Sequence, residues 1–405
     1  MNKMYIENKL VPNHWKHVKL GEYVISVKGK KPKRTSSNKS KDCNIPYVNI
    51  KAFEQNIIDE YTDGVNCVLC EEGDFLMVWD GSRSGYVGKA IKGALGSTLV
   101  KLNFPNIDNN YAFYFLQSKY IEINTRAKGV GIPHVDPNIL WNYNFPIPPL
   151  AEQQAIVSKI EELLSDLENG KQQLQLAQQQ LKIYRQSLLK WAFEGKLTNK
   201  NVKEGELPTG WKIKELIDCA EMCLGKMLDK SKNKGNYQYY LRNISVRWGS
   251  FDLEDLEQMR FEESEEVRYG LKKGDLIICE GGEPGRCAIW KDAVSNMKIQ
   301  KALHRVRVKN ELSVNYLFHF MYYSGMSGLL EKYFTGTTIK HLTGTQLKKI
   351  EIPLPPIAEQ QLIVDELESK LTVCDKIEET ISQSLLQAES LRQSILKKAF
   401  EGRLI

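Results

Sequence analysis

The hydrophobic pattern of the chain is dominated by two stretches in which an apolar residue returns every seventh position. In the first stretch these positions are Ile160, Leu167, Leu174, Leu181 and Leu188, and Leu163, Ala177, Tyr184 and Trp191 follow three residues after members of this series. In the second they are Leu367, Cys374, Ile381, Ala388 and Ile395, supported by Leu371 and Leu385. A two-position apolar seam of this kind is typical of a long helix that packs against a partner helix.

The flanking residues predict where the first of these helices begins and ends. Pro148 and Pro149 favour extended backbone just before it, and Gly195 is a plausible stop. A helix from Leu150 to Phe193 would be about 65 Å long, because each helical residue rises about 1.5 Å. Gly170 lies in the middle of the seam and is expected to mark a bend or a break.

The two stretches belong to a longer internal repeat. The segment 146–157 returns at 353–364, and 185–197 returns at 392–404, with an offset of 207 residues in both cases. A repeat this long indicates two copies of one structural unit, and its period is far above that of solenoid proteins.

The segments ahead of the two helices differ more but keep the same landmarks in the same order. Gly-Asp turns precede short apolar strands at Gly73 and Gly274, and a glycine-rich loop follows each strand. A glycine turn that ends in histidine comes later in each copy, at 129–134 and 336–341. We therefore predict an α+β protein with two mixed α/β domains and two long helices.

The predicted domain boundaries follow from these landmarks. They place the first α/β domain at 1–149, a central helical region at 150–198, the second α/β domain at 199–356 and a C-terminal helical region at 357–405, with a linker at 199–206. Side-by-side antiparallel pairing would bury both helical seams and form a coiled-coil spacer. We expect this arrangement to relate the two halves by an approximate two-fold axis.

Composition narrows the class of protein. The chain has 405 residues, 42% of them hydrophobic and 26% charged, which is ordinary for soluble protein. No apolar run approaches the roughly 20 residues needed to cross a bilayer, and Met1 to Leu10 is too polar for a secretory signal. The eight cysteines form no disulfide or zinc-finger framework. We expect a cytoplasmic protein with core thiols and no membrane contact.

The distribution of charge is more informative than the net charge of +6. Residues 28–41 carry seven basic side chains and no acidic one, interleaved with Gly29, Pro32 and a Ser/Thr/Asn run. Such a loop either presents solvated charge alone or contacts phosphates through mobile cations and hydroxyl donors. If two domains related by a two-fold axis bind DNA, their half-sites would lie about one helical turn of the duplex apart, about 34 Å, or a multiple of it. The two half-sites would differ in sequence because the two domains differ.

Catalytic motifs are not found in the sequence. Gly88-Lys89 lacks the spacing and the following Ser or Thr of a P-loop, and there is no Asn-Pro-Pro-aromatic methyltransferase motif. His134 and His341, at equivalent places after glycine turns, are the best acid/base candidates. Three interpretations of them stay open: a turn histidine bonded to backbone, a nucleic-acid contact, or catalysis.

In combination, several residues carry a resemblance to a known family. They are the Pro-Leu/Ile-Pro-Pro-x-Ala-Glu-Gln-Gln starts at Pro146 and Pro353, the Ala-Phe-Glu-Gly ends at Ala192 and Ala399, and the Gly-Asp strands with glycine-rich loops at Gly73 and Gly274. On these motifs the chain resembles the specificity subunit of type I restriction-modification enzymes over its whole length. The turn at 336–341 has the family's usual form, whereas 129–134 departs from it with Gly131 and Pro133.

The resemblance implies a DNA-recognition subunit without catalytic activity of its own. Two target recognition domains would each read one half of an asymmetric bipartite duplex site, and the helical regions would act as spacer and docking surface. The implied partners are two modification subunits, which bring S-adenosylmethionine and methylate adenine, and two restriction subunits, which use ATP and Mg²⁺. No cofactor and no metal is expected on this chain.

The resemblance and the residue types together give the candidate site residues. We expect phosphate contacts from the basic loop and its counterpart, namely Lys30, Lys31, Arg34, Lys226, Lys230 and Lys232. Base contacts are expected from Arg83 and Arg286, with Arg242, His134, Lys340 and His341 as further DNA contacts. Candidates for docking a modification subunit are Glu152, Gln153, Gln154, Glu359, Gln360 and Gln361, unless the carboxylates only cap their helices.

Two other function classes remain open at this point. One is a structural coiled-coil adaptor whose α/β domains bind proteins, and the other is an enzyme, a methyltransferase or nuclease in its own right. Sequence-selective duplex binding together with modification subunits would separate DNA recognition from the adaptor. DNA methylation by the isolated chain would favour the enzyme.

Overall fold

The computed structural model describes residues 12–199, 201–203, 205–291 and 293–405. The polar stretch from Met1 to Leu10 lies outside them, as do Lys200 and Glu204 of the predicted linker. The chain divides into two compact units. Unit 1 comprises the residues up to 175 together with 382–405, and unit 2 comprises 176–381.

The short strands of unit 1 form three sheets. The strands are β1 (Lys16–Lys19), β2 (Ile25–Lys28), β3 (Thr35–Ser36), β4 (Ile45–Val48), β5 (Tyr61–Thr62), β6 (Leu69–Cys70), β7 (Phe75–Val78), β8 (Val87–Lys89), β9 (Gly93–Leu95), β10 (Leu99–Asn103) and β11 (Asn144–Ile147). Three helices of this unit are α1 (Ile50–Gln55), α2 (Asn109–Thr125) and α3 (Pro137–Leu140). The sheet orders are β1-β11, β2-β10-β7-β8 and β3-β5-β4-β9-β6.

Unit 2 repeats much of this plan with its own elements. Its strands are β12 (Lys212–Glu215), β13 (Ala220–Leu224), β14 (Asn236–Leu241), β15 (Val246–Arg247), β16 (Ser250–Phe251), β17 (Glu257–Phe261), β18 (Leu276–Cys279), β19 (Cys287–Ile289), β20 (Lys298–Ile299), β21 (Leu303–Val308) and β22 (Glu351–Leu354). Its short helices are α5 (Leu216–Cys219), α6 (Glu266–Tyr269), α7 (Val314–Met326) and α8 (Gly344–Lys348). The two long helices, α4 (Leu150–Phe193) and α9 (Ile357–Phe400), each contribute residues to both units. The sheet orders are β12-β22, β13-β21-β18-β19, β17-β14-β20 and β15-β16.

The strand after each Gly-Asp turn lies between two hydrophobic clusters. In β7, Phe75 and Met77 belong to one cluster of unit 1, and Leu76 belongs to the other. In β18, Leu276 belongs to one cluster of unit 2 and Ile277 to a second. Successive strand residues face opposite sides of a sheet, so a strand buried on both sides must be apolar at every position. This explains the unbroken apolar runs in both copies.

The first long helix has the bounds that the sequence predicts, Leu150–Phe193, and α9 matches it in length at 44 residues. Gly195 and Gly402 follow the two helices with φ of 77° and 66°, the left-handed conformation that glycine adopts at helix ends. Of the two outcomes expected at Gly170, the break is wrong, because α4 is continuous through it, whereas the bend stays a prediction. A single glycine costs a helix only about 1 kcal/mol, which the rest of a long helix absorbs.

One tyrosine in each unit connects the beginning of one long helix with the end of the other. In unit 1 the Tyr111 hydroxyl donates to Pro146 O at 2.9 Å, while its ring lies 5.1 Å from that of Phe400. In unit 2, Tyr316 donates to Pro353 O at 2.6 Å and lies 5.3 Å from the Phe193 ring. Within each unit the helix segments therefore run antiparallel, as predicted.

The predicted seam needs one correction in unit 2. Tyr184 and Trp191, counted as seam residues, are 41% and 40% exposed. Four places after the leucines, Ala192 is buried with Leu188, and the half-buried Arg185 pairs with Asp375 at 2.7 Å. A heptad seam alternates steps of three and four residues, and here the step after each leucine is four.

Two further observations concern the cysteines and the hydrophobicity of the helices. All eight cysteines are free thiols, six of them buried. Along the described parts of the chain, none of the helices combines the length and apolar character that a membrane span requires.

Candidate nucleic-acid interface

The glycine-rich loop of unit 1 packs against the turn that ends in His134. Gly81 N–H donates to Pro133 O at 2.7 Å, and Val135 N–H donates to Trp79 O at 2.9 Å. Gly85 has φ of 88°, and a Cβ there would lie 2.4 Å from the Ile123 side chain. Only glycine fits this close approach of the loop to α2.

The equivalent loop and turn of unit 2 make the same kind of contact. Leu342 N–H donates to Glu280 O at 2.7 Å. Gly285 has φ of 92°, and a Cβ there would lie 2.5 Å from Leu330 Cδ1. A Cβ at Gly281 would lie 3.0 Å from His341 Nδ1, so the imidazole ring of His341 packs against the glycine-rich loop. Two segments far apart in sequence thus form one surface in each unit.

Arg83 lies on the unit 1 loop with its guanidinium group partly exposed. Its Nη1 donates to Glu54 Oε2 at 2.8 Å, and its Cζ lies 4.1 Å from the centre of the Tyr86 ring. The side chain is 46% exposed. An arginine that lies over an aromatic ring and pairs with one carboxylate keeps N–H donors for a further planar acceptor.

Arg286, the predicted counterpart in unit 2, is more enclosed. Its Nη2 donates to Asn243 Oδ1 at 3.0 Å and to Asn243 O at 3.2 Å, while Nη1 donates to Glu283. The side chain is 17% exposed. These bonds connect the glycine-rich loop to the segment after β14, which favours a role in positioning that loop.

Arg242 is also engaged by its own unit. Its guanidinium group donates to Asp255 Oδ2 at 2.7 Å and forms a second ion pair with Glu257. The hydrogen bond that Arg242 donates to Asp255 raises the pKa of the guanidinium group above its ordinary value. A DNA contact would require Arg242 to leave two carboxylates, and this placement argues against one.

The basic loop of unit 1 presents most of its cations to solvent. Lys30 and Lys31 are exposed and have no ion-pair partner among the described residues. Arg34 pairs with Asp42 at 2.9 Å, and Lys28 pairs with Asp80 at 2.8 Å. A Cβ at Gly29 would lie 2.2 Å from Gly96 O, which explains the glycine before Lys30.

The equivalent glycine of unit 2 is also packed against backbone, but the next lysine faces inward. Lys226 is 8% exposed, and its Nζ donates to Arg260 O at 3.0 Å and forms an ion pair with Glu265. Lys230 and Lys232 are exposed, and Lys232 lies 3.6 Å from Asp229. The placement of Lys226 argues against the predicted phosphate contact, whereas the other two lysines remain available.

His134 and His341 close equivalent hairpins through their backbones. His134 N–H donates to Lys128 O at 2.7 Å, and His341 N–H donates to Thr335 O at 2.9 Å. The two turns share this pairing and a glycine with positive φ, Gly129 or Gly336, although Gly131 and Pro133 depart from the other copy. Lys340 is exposed on the unit 2 hairpin. The two hairpins are therefore built on the same backbone pairing.

Five of the six docking candidates bond to their own unit, and one of these bonds, from Gln361 to Asp365, lies on the exposed face of the helix. Gln153 and Gln360 are buried. Glu152 accepts hydrogen bonds from Trp15 Nε1 at 2.8 Å, and Glu359 accepts from Asn199 Nδ2 at 2.7 Å. Of the six, only Gln154 and Gln361 are exposed. The polar helix starts thus serve mainly to attach each long helix to its unit.

A model of the type I restriction modification DNA specificity domain matches residues 12–177 and again residues 208–387. The chain belongs to this family. The double match coincides with the internal repeat, and each copy includes one glycine-rich loop with its histidine hairpin. The family assigns the chain to DNA recognition, so it is a specificity subunit and not a catalytic one.

Known specificity subunits resemble the chain along nearly its whole length. The MjaVIII specificity subunit of Methanocaldococcus jannaschii is 28% identical, covering 97% of this chain and 94% of the relative. The EcoBI specificity subunit of Escherichia coli is 25% identical, covering 97% and 87%. The HsdS subunit of Thermoanaerobacter tengcongensis, 19% identical, superposes with a TM-score of 0.65 over 98% of this chain and 99% of its own.

A further solved chain supports the fold of this specificity subunit. It comes from a structural study of complex assembly and conformational transition in a type I restriction-modification system, and it has a TM-score of 0.71 at 20% identity. The match covers 97% of this chain and 99% of the other.

One polar surface of unit 2 does not figure among the sequence predictions. Tyr237 and Tyr239 of β14 are exposed, and Arg260 of β17 lies with its Cζ 5.0 Å from the Tyr237 ring centre. Gln258 pairs with Tyr239 in the sheet register. The alternation of tyrosine with polar residues at 236–240 is the signal that could have found this surface. Within the described residues, no group of three or more His, Cys, Asp or Glu side chains is arranged to hold a metal ion.

Proposed function

We propose that this specificity subunit recognises an asymmetric duplex DNA site in two parts, with one unit reading each part. The observation that carries the proposal is that the two units share the same arrangement of strands and loops but differ in the side chains on those loops. Both units contain a four-stranded sheet of equivalent order, β2-β10-β7-β8 and β13-β21-β18-β19, in which the glycine-rich loop connects the last two strands and is bonded to a histidine hairpin. Because the side chains on these loops differ, the two parts of the site differ in sequence.

The two units would hold the DNA backbone through different cations. In unit 1 the exposed Lys30 and Lys31 are available to phosphates. In unit 2 the equivalent Lys226 is buried, so phosphate contact falls to Lys230 and Lys232 on the following turn. Phosphate contacts set the register of a protein on the duplex and carry little sequence information.

Sequence would be read by the partly exposed planar side chains. In unit 1 this is Arg83, whose guanidinium group would exchange Glu54 for a guanine edge. In unit 2 the better candidates are Arg260 and Gln258 beside the exposed tyrosines, because Arg286 is bonded to Asn243. Arginine and amide side chains form the bidentate base contacts that discriminate best between base pairs.

We further propose that two modification subunits and two restriction subunits assemble with this chain. S-adenosylmethionine, ATP and Mg²⁺ would be bound by those partners. The exposed Gln154 and Gln361, one at the start of each long helix, are the docking candidates that the structure leaves accessible. Each long helix takes part in both units, and the helix lengths would set the gap between the two parts of the site.

Selection of duplexes from a random library tests this function. The full chain is mixed with its modification subunits, bound duplexes are sequenced, and modification subunits alone serve as the control. Enrichment of a split, non-palindromic sequence only when the chain is present supports the proposal. Equal retention of all sequences would favour a protein-binding adaptor.

A further inference from the structure

Each unit exposes an isoleucine at the tip of its histidine hairpin. The hairpins span 128–134 and 335–341, and the side chains of Ile132 and Ile339 are 69% and 65% exposed. The isoleucines occupy equivalent positions in the internal repeat, at the same offset of 207 residues. Isolated exposed apolar residues are common, but the same residue at the same tip in two units that otherwise differ needs a reason.

Both tips are fixed by the same backbone constraint. Gly129 and Gly336 have φ of 103° and 91°. A Cβ at Gly129 would lie 2.5 Å from Ile132 O, and a Cβ at Gly336 would lie 2.3 Å from Ile339 O. Each glycine is therefore required for the turn that carries the isoleucine, and the turn is one defined conformation in both units.

The base of each hairpin is bonded to the surface proposed to read DNA. In unit 1, Lys128 N–H donates to His134 O at 2.9 Å, and Pro133 O accepts from the glycine-rich loop. In unit 2, Thr335 N–H donates to His341 O at 2.8 Å, and the next residue bonds to Glu280 O. A projection held in this way loses little conformational freedom when it becomes buried in a ligand.

The chemistry of the tips fits duplex DNA better than a protein surface. Residues 129–133 contain no charge. Lys128 at the base of the unit 1 hairpin is an exposed cation that pairs with Asp136 at 2.8 Å, and Lys340 beside the unit 2 tip is exposed. A narrow apolar point with flanking cations is the combination that proteins use to separate stacked base pairs while holding the phosphates. A protein interface would need a much broader apolar area.

We propose that Ile132 and Ile339 insert between stacked bases as apolar wedges, each opening one base step in its part of the site. The proposal rests on the proposed function. A methyltransferase must take its target base out of the stack, at a cost in stacking energy. A wedge supplied by the specificity subunit unstacks the neighbouring step and lowers that cost for the bound modification subunit.

Fluorescence of 2-aminopurine tests the wedge. The base is placed at each step in turn of a duplex obtained by the library selection, and its emission rises when it is unstacked. With the full chain and its modification subunits, we expect a rise at one step in each part of the site. Ile132→Ser should abolish the rise in the unit 1 part alone and weaken binding to the selected site about tenfold, as expected for the loss of one buried aliphatic side chain.

Three further variants make the assignment specific. Ile339→Ser should act in the same way on the other part of the site, and Ile132→Leu should retain the rise because it keeps the apolar volume. Ile121→Ser, which removes an isoleucine 58% exposed on α2 of the same unit, should change neither fluorescence nor affinity. Salt dependence and affinity for random DNA should be the same in all variants, since no cation is altered.

The possible outcomes distinguish the wedge proposal from the proposed function of DNA recognition. Selective binding without any fluorescence rise in the unaltered protein would overturn the wedge and leave DNA recognition standing. Absence of selective binding would overturn both. If the serine variants lose the modification subunits but retain the fluorescence rise in the remaining complex, the tips contact protein and the wedge is wrong.

Discussion

Gln153 accepts a hydrogen bond from the backbone N–H of Asp108, which lies 2.9 Å away and 45 residues earlier in the chain. The same side chain donates to Pro148 O at 2.9 Å. In unit 2, Gln360 accepts from Ser313 N–H at 2.8 Å and donates to Pro355 O at 2.9 Å. A buried amide thus attaches the first turn of each long helix to the loop before α2 or α7.

Replacement of Gln153 by leucine should destabilise the protein, because it leaves the part-buried N–H of Asp108 and the buried carbonyl of Pro148 without their partner. We expect a loss of about 1–3 kcal/mol in the free energy of unfolding. The neighbouring Gln154→Leu, on the exposed side of the same helical turn, should stay within about 0.5 kcal/mol of the parent. Urea unfolding of the full chain measures both. Equal midpoints for the two variants would show that the buried amide does not hold the helix.

Removal of Lys30 or Lys31 should weaken binding to all duplexes alike. Each lysine that no longer neutralises a phosphate should reduce the slope of log affinity against log salt concentration by about 1, since fewer counterions are released. Lys159→Ala, which removes a lysine from the long helix of the same unit, is the matched control. Titrations between low and physiological salt measure the slope. A slope equal to that of the parent would exclude Lys30 and Lys31 from the interface.

Arg83→Ala should cost about 1–3 kcal/mol of affinity for the selected site and relax one part of it only. Arg83→Lys keeps the charge but loses the planar, bidentate donor pair, so it should relax the same part. Competition between duplexes that differ at single base pairs measures this. If alanine weakens random and selected DNA equally, Arg83 contacts a phosphate and reads no base.

The stability of unit 2 should fall as the solution is acidified through the ordinary pKa of histidine. Burial lowers the pKa of the His304 imidazole below its ordinary value of 6.5, and His304 Nε2 lies 3.1 Å from Leu342 O. Below pH 6.5 the unfolded chain binds a proton that the folded chain excludes, so acid favours unfolding. His304→Gln should therefore lose less stability between about pH 7 and pH 5 than the parent does. Parallel losses would assign the pH dependence to other groups.

The repeated parts of the fold are the parts that the sequence predicts well. The bounds of α4, the strands after Gly73 and Gly274 and the antiparallel pairing follow from heptad spacing and from landmarks that occur twice. These features depend on local backbone preference and on the period of apolar residues, both of which can be read from the amino-acid sequence. The break expected at Gly170 did not follow, because propensity at one residue is weak against a helix of 44 residues.

The candidate site was harder to predict because the internal repeat preserves position but not the direction of a side chain. Lys30 and Lys226 follow equivalent glycines, yet only Lys30 is exposed, since Glu265 and Arg260 O hold the second lysine inside unit 2. Gln153 and Gln154 are adjacent, and the helical turn alone decides which of them is buried. The direction of Lys226 is set by partners that lie more than 30 residues away in sequence, which a local pattern does not reveal.

Sequencing of methylated adenines is the sharpest test of recognition in two parts. It is done in cells that carry this chain with its partner subunits, and in parallel with a variant that has one heptad inserted after Gln173 and one after Thr380. Seven residues lengthen a helix by about 10 Å, roughly three base pairs of duplex. We predict a split, asymmetric methylated sequence whose gap lengthens in the variant while both parts keep their bases. A contiguous or palindromic sequence, or an unchanged gap in the variant, would contradict a two-part site spaced by the long helices.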